Sequence, residues 1–154
     1  MELAKDFSEF IDLLNKNGVD YLVVGGYALG FHGRPRYTGD LDIWIDISEK
    51  NASRMVEVVE DFGFASLGLE KTDFLQKGYI TQIGYPPLRI DILNDIDGVI
   101  FSEAFKNKQV IDIEGIKVDY IGFWDLIRNK EVSGRDKDIA DINSLKKSKP
   151  RKLE

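Results

Sequence analysis

Residues 40–47, DLDIWIDI, alternate carboxylates and bulky apolar side chains. That period of two belongs to a strand with one dry face and one polar face. Leu41, Ile43, Ile45 and Ile47 share the dry face; Asp40, Asp42, Trp44 and Asp46 share the other. Side chains at i and i+2 of a strand stand roughly 7 Å apart at their Cα atoms. Carboxylates as close as Asp40 and Asp42 repel each other unless a cation lies between them. Hard Mg²⁺ prefers carboxylate and phosphate oxygens. Immediately upstream, LVVGGYALGFHGRPRYTG (residues 22–39) reads as an apolar strand, a Gly25-Gly26 turn opening a helix, and a basic loop. The first N–H groups of a helix have no internal partner and attract phosphate. A phosphate cradle beside a metal clamp points to phosphoryl or nucleotidyl transfer.

The rest of the chain reads as helices and strands in a mixed order. Leu3, Phe7, Phe10, Ile11 and Leu14 make one helical stripe over 3–17, closed by Asn17-Gly18. Val19 to Val24 is a short strand, and Tyr27 to His32 a helix of two turns or less. Ser48 caps a helix over 49–62 with Met55, Val56, Val59 and Phe62 inward, ended by Gly63. Residues 64–77 are ambiguous, with Phe74 and Leu75 packing on the core. Tyr79 to Tyr85 and Leu88 to Leu93 are strands joined at Pro86-Pro87, and a short helix spans Ser102 to Phe105. Gln109 to Ile113 and Ile116 to Ile121 form a hairpin around Glu114-Gly115. Helices follow over Phe123 to Val132 and Asp136 to Leu145, separated at Ser133-Gly134. This is an α/β (α+β) order, a mixed sheet covered by helices.

Asp91 lies in the apolar strand LRIDIL, on the face opposite Ile90 and Ile92. If that strand lies beside Asp40 and Asp42, three carboxylates converge. Three carboxylates can hold two Mg²⁺ ions roughly 4 Å apart. Asp91 could also act as general base. A lone Asp-x-Asp is more often a solvated strand end; the upstream Gly-Gly and the third Asp turn the balance toward catalysis. Asp95 and Asp97 compete, but they sit in a turn, where Asp is favoured anyway.

Basic residues offer phosphate contacts. Arg34 and Arg36 in the loop could hold phosphate oxygens bidentately or pair with Asp40. Lys130, Arg135 and Lys137 gather around the Ser-Gly break. They could reach a triphosphate or form a network with Asp138 and Asp141 that pins the last helix. His32, the sole histidine, reads as structural. There is no Gly-Lys-Ser/Thr after Gly25-Gly26, so this is not a Walker loop.

The 154 residues carry a net charge of −6, with no cysteine and therefore no disulfide or thiolate metal site. Residues 143–154 hold five basic residues against Glu154, a net +4 that leaves −10 on the remainder. An acidic body is a poor general nucleic-acid binder. The expectation is one domain over 1–145 and a basic, flexible tail over 146–154. No run approaches the ~18 apolar residues of a membrane span, and no signal segment is evident, so a cytoplasmic protein without a membrane partner is expected.

Gly25-Gly26, Arg36-Tyr37-Thr38-Gly39-Asp40-Leu41-Asp42 and Leu88-Arg89-Ile90-Asp91-Ile92-Leu93 together resemble the DNA polymerase beta-like nucleotidyltransferase superfamily. The segment from Asp125 to Ile142 is similar to the C-terminal helices of its small bacterial members, the abortive-infection-type toxins and lincosamide-type antibiotic nucleotidyltransferases. The resemblance covers roughly residues 20–145. It implies a mixed sheet of about five strands and two Mg²⁺ ions. It also implies transfer of NMP from an NTP to a hydroxyl on a protein, tRNA or small-molecule acceptor. Asp40, Asp42 and Asp91 would bind metal, with Asp91 activating the acceptor. Gly25, Gly26, Arg34, Arg36, Thr38, Lys130, Arg135 and Lys137 would bind the nucleotide. Two departures stand out: Tyr27 replaces a frequent Ser, and the chain lacks the extra domain of many relatives. The missing domain favours a homodimer or a protein partner of toxin–antitoxin type. The alternative is a non-catalytic, antitoxin-like module of the same fold that sequesters a partner protein.

Overall fold

The computed structural model describes residues 3–33 and 39–148. Arg34, Arg36, Thr38 and residues 149–154 lie outside the described residues. In chain order the elements are α1 (Lys5–Lys16), β1 (Tyr21–Val24), α2 (Gly25–Phe31), β2 (Asp40–Ile45), α3 (Glu49–Val59), α4 (Lys71–Leu75), β3 (Thr81–Tyr85), β4 (Leu88–Leu93), α5 (Phe101–Lys106), β5 (Gln109–Ile113), β6 (Ile116–Tyr120), α6 (Phe123–Ser133) and α7 (Asp136–Ser148). A π-turn (Glu60–Phe64) and a 3₁₀ turn (Ala65–Leu67) link α3 to α4.

Among the described residues the sheet has six strands in the order β3-β4-β2-β1-β6-β5. The family resemblance implies about five; the count is corrected to six, with the β5–β6 hairpin forming one edge. β1 is antiparallel to β2 and parallel to β6, while β2 is parallel to β4, so the sheet is mixed. The helical stripes supply the core: Phe7, Phe10, Ile11 and Leu14 from α1, and Met55, Val58 and Val59 from α3, all buried. Removing this much apolar surface from water is the main force holding the layers together.

Three local expectations shift. β2 ends at Ile45, and Ile47 is exposed rather than core. Trp44 is buried although it shares a face with Asp40 and Asp42, because the Phe101 ring of α5 packs edge-on against it at 5.0 Å. α3 stops at Val59, short of Phe62, and Gly63 turns the chain at φ 96°, a conformation that favours glycine. Ser48 caps α3 as expected, its side chain accepting from the Asn51 N–H at 3.1 Å.

α7 continues three residues past Leu145, so Lys146 and Lys147 belong to its last turn. Its end reaches α2: the Ser148 hydroxyl donates to the His32 carbonyl at 3.2 Å. The His32 ring is buried, with Nε2 2.7 Å from the Ile121 carbonyl and an edge contact to Phe123. It is a packing residue between α2 and the start of α6.

Candidate active site

β2 and β4 pair in parallel, Asp40 opposite Arg89 and Asp42 opposite Asp91. Paired residues project to the same face of a sheet. The topology therefore brings the three sequence-predicted carboxylates onto one face and adds Arg89. The Arg89 Nη2 donates to Asp40 at 3.0 Å and to Asp91 at 3.0 Å, and its Nε donates to Asp91 at 2.8 Å. Sequence reasoning overlooked Arg89. The signal was available, since Arg89 and Asp91 are i and i+2 on one strand and must share a face.

Asp91 is the buried member of the set, at 8% exposure, and Asp40 and Asp42 are half-buried. Burial, then the charges of Asp91 and Asp40, push the Asp42 carboxyl from 3.8 up to about 7, against the pull of Arg89. A hydrogen bond with Asp91 also favours the protonated form. Among the described residues Arg89 is the guanidinium bonded to this set.

Gly25 makes this packing feasible. It follows directly on Val24, whose register partner is Asp42. Its φ is +66°, and a Cβ there would overlap the Asp42 carboxylate. The start of α2 thus lies against Asp42, where exposed helix N–H groups favour negative charge. Gly26 is half-buried in the same turn.

Asp42 and Gly25 open onto a cleft of about 530 Å³. Its walls include Asp95 and Asp97 from the turn after β4, and Asn129, Ser133 and Arg135 from α6 and the α6–α7 junction. Asn129 Nδ2 donates to the Asp97 carbonyl at 2.9 Å, and the Ser133 hydroxyl to the Asp97 carboxylate at 3.1 Å. Asn129 and Ser133 carry no motif that marks them in the sequence; they lie i and i+4 on one helix face, and only the tertiary fold brings that face to the cleft.

The second basic set separates. Arg135 lines the cleft while its guanidinium grips Asp138, at 2.7 Å from Nε and 3.2 Å from Nη2. Lys130 is buried, its ammonium 3.4 Å from Asp138 and 3.1 Å from Asp141, and it does not line the cleft. Burial alone would raise the Asp138 carboxyl, but hydrogen bonds from Arg135 and the charge of Lys130 outweigh it and hold the carboxyl below its usual range. Lys137 is exposed on the first turn of α7.

The donor set suits a hard divalent cation: all-oxygen ligands on one face, with more negative charge than Arg89 balances. With Arg89 bonded to Asp40 and Asp91, no group of three acidic or histidine side chains among the described residues closes on a common metal position. The residue types fit a hard cation, and Arg89 occupies oxygens of Asp40 and Asp91 that such a cation would use.

The fold is that of nucleotidyltransferases. A solved nucleotidyltransferase of Thermotoga maritima, assigned as such provisionally, superposes with a TM-score of 0.59 at 16% identity, covering 93% of this chain and 91% of that one. The lincomycin-bound lincosamide antibiotic adenylyltransferase LnuA gives 0.57 at 16%, covering 96% and 98%. The antibiotic-resistance factor ANT(2'')-Ia gives 0.60 at 18%, covering 93% and 82%. At such identities these likenesses establish the fold. A search of curated protein sequences finds no match. Residues 3–154 match the family described as "Nucleotidyl transferase of unknown function (DUF2204)", and the chain belongs to that family. No helix among the described residues is long and apolar enough to cross a membrane.

Proposed function

We propose that the chain is a Mg²⁺-dependent nucleotidyltransferase that moves NMP from an NTP to a hydroxyl on a protein, tRNA or small-molecule acceptor. The observation that carries this is the register of β2 and β4, which sets Asp42, a lining residue of the cleft, beside Asp91, and Asp40 beside Arg89. Asp40, Asp42 and Asp91 would hold the cation. When bound, Mg²⁺ supplies charge that draws the triphosphate and offsets the negative charge developing on it.

The remaining chemistry belongs to the chain. Asp91 takes the proton of the acceptor hydroxyl as its oxygen attacks the α-phosphorus. The bond between the α-phosphorus and its bridging oxygen to the β-phosphate breaks, and pyrophosphate leaves with the electron pair. Gly25 and Gly26 let the nucleotide approach the start of α2, and Arg135 stands on the cleft wall as a cation for phosphate oxygens. Arg34, Arg36 and Thr38 complete the nucleotide contacts from the preceding loop, with Lys137 as a further cation, while Lys130 is bonded to Asp138 and Asp141 and holds α7 instead. The reading carries a cytoplasmic setting with it, where NTP is available to the enzyme. A toxin–antitoxin partner or tRNA is the preferred acceptor, ahead of a small hydroxylated antibiotic. A homodimer would compensate for the short chain.

Labelled NTPs, Mg²⁺ and cell extract test the reading directly. The expected result is label transferred to a discrete acceptor by the wild type and lost in the protein with all three Asp residues changed to Ala. Transfer that survives those changes overturns it.

A further inference from the structure

Arg89 stands where a cation between Asp40 and Asp91 would stand. We propose that Arg89 is a resident counter-ion that competes with the divalent cation for Asp40 and Asp91, making cation binding an exchange rather than an addition. The inference rests on the Mg²⁺-dependent reading above. It makes Arg89 a positioning residue: it keeps the carboxylates together in the nucleotide-free enzyme and resists cation binding until a triphosphate joins.

Three observations carry it. First, the guanidinium makes hydrogen bonds to both carboxylates, two to Asp91 and one to Asp40. Charge-assisted bonds of this kind are among the stronger ones available to side chains. A cation cannot take those oxygens while they accept from Arg89. Second, the guanidinium has somewhere to go. Its side chain is 29% exposed. On the side away from Asp40 its register partner is Gly84, which has no side chain to block it. Third, the exchange has an electrostatic drive. Among the described residues the charged groups facing Arg89 are Asp40, Asp42 and Asp91, and its β3 neighbours Gln82 and Gly84 carry no charge. A divalent cation brings these three carboxylates twice the charge of the guanidinium.

Mn²⁺ can stand in for Mg²⁺ and is counted by electron paramagnetic resonance, without any turnover. Wild type, Arg89→Met and Arg89→Lys would be titrated with Mn²⁺ at pH 8.5, with and without a non-hydrolysable NTP. Arg89→Met keeps the aliphatic stem and removes the charge. It should bind Mn²⁺ without nucleotide at least about tenfold more tightly than wild type, the equivalent of losing one charged hydrogen bond. Arg89→Lys should fall between, and wild type should tighten when NTP is added. If wild type binds Mn²⁺ with NTP and Arg89→Met binds it no more tightly without, the counter-ion proposal falls alone. If no protein binds Mn²⁺ under either condition, the metal-dependent reading falls and takes this one with it. Should Arg89→Met fail to fold, wild type still decides. The ¹⁵Nε–H resonance of Arg89 should shift when Mg²⁺ and the NTP analogue saturate the protein, and an unmoved resonance overturns the proposal.

Discussion

The Asp42 carboxylate occupies the space that a Cβ on residue 25 would need. Gly25 therefore serves two ends, the +66° φ of the turn and the approach of Asp42 to the helix start. Gly25→Ala should cost about 1–2 kcal/mol for the left-handed backbone alone, and more from the overlap. The two parts can be separated by a double-mutant cycle in urea. In an Asp42→Gly background the overlap is relieved, and the cost should fall back to the backbone term. Equal costs in both backgrounds would show that Asp42 does not press on residue 25.

Asp42 also predicts a pH dependence. Its carboxyl titrates at about 7 in the folded chain and near 3.8 when unperturbed. Between those values the folded protein holds the extra proton. The stability linked to it is complete below the unfolded value and is lost as pH rises through the folded one. Asp42→Asn removes this slope and can still donate to Asp91. In chelator at pH 8 it should be more stable than wild type, by up to about 4 kcal/mol, while nucleotidyl transfer is abolished. Mg²⁺ competes with the proton, so it should raise the wild-type melting temperature more at pH 8 than at pH 5.5. Thermal melts with and without chelator read both effects.

Lys130 predicts a large structural effect. Its ammonium lies between Asp138 and Asp141, whose side chains are both 1% exposed. Lys130→Met removes the ammonium from two buried carboxylates, a change that typically costs about 3–5 kcal/mol. Denaturant curves should show that loss. At a temperature where the variant is folded, NTP affinity should change less than about threefold, the small effect expected of a residue that touches no ligand. Because Asp138 is held below its usual range, the part it contributes is present above the unfolded carboxyl value and is lost as acid protonates it.

Much of this was legible in the sequence, for identifiable reasons. The boundaries of β4 follow from LRIDIL set between Pro86-Pro87 and the Asn94 turn, and the end of β5 from QVIDI meeting Glu114-Gly115, because turn residues punctuate the apolar runs. The sharing of a face by Asp40 and Asp42 needs only the pleat. Convergence with Asp91 needs β4 to lie next to β2, a topological fact that no local pattern encodes. Trp44 is buried because α5 covers it, and Ile47 is exposed because β2 stops at Ile45; neither the cover nor the stop is encoded in the local alternation. Lys130 could not be assigned between phosphate and network from spacing, since helix neighbours reach either way until α7 is folded back. Asn129 and Ser133 were invisible because their partner, Asp97, is more than 30 residues away in the chain.

Those last two residues give a prediction about the cleft rather than the chemistry. Asn129 and Ser133 hold the Asp97 turn against α6 through hydrogen bonds of 2.9 and 3.1 Å. Both bonds are at the surface, so each should contribute only about 0.5–1.5 kcal/mol to stability. Their larger effect should be on the shape of the wall facing Asp42. The Asn129→Ala/Ser133→Ala protein should lose about 1–3 kcal/mol and melt roughly 2–12 °C below wild type, since 1 kcal/mol moves the midpoint of a domain this size by roughly 2–4 °C. Its KM for the ligand that fills the cleft should rise several-fold. The Mn²⁺ affinity of the Asp40, Asp42 and Asp91 set should stay as it was, because neither residue contacts those carboxylates. Steady-state kinetics with each substrate varied in turn would show which one the wall holds: a KM effect on NTP assigns the cleft to the nucleotide, and one on the acceptor assigns it to the acceptor. An unchanged KM for both would show that the wall made by Asp97, Asn129 and Ser133 contacts neither.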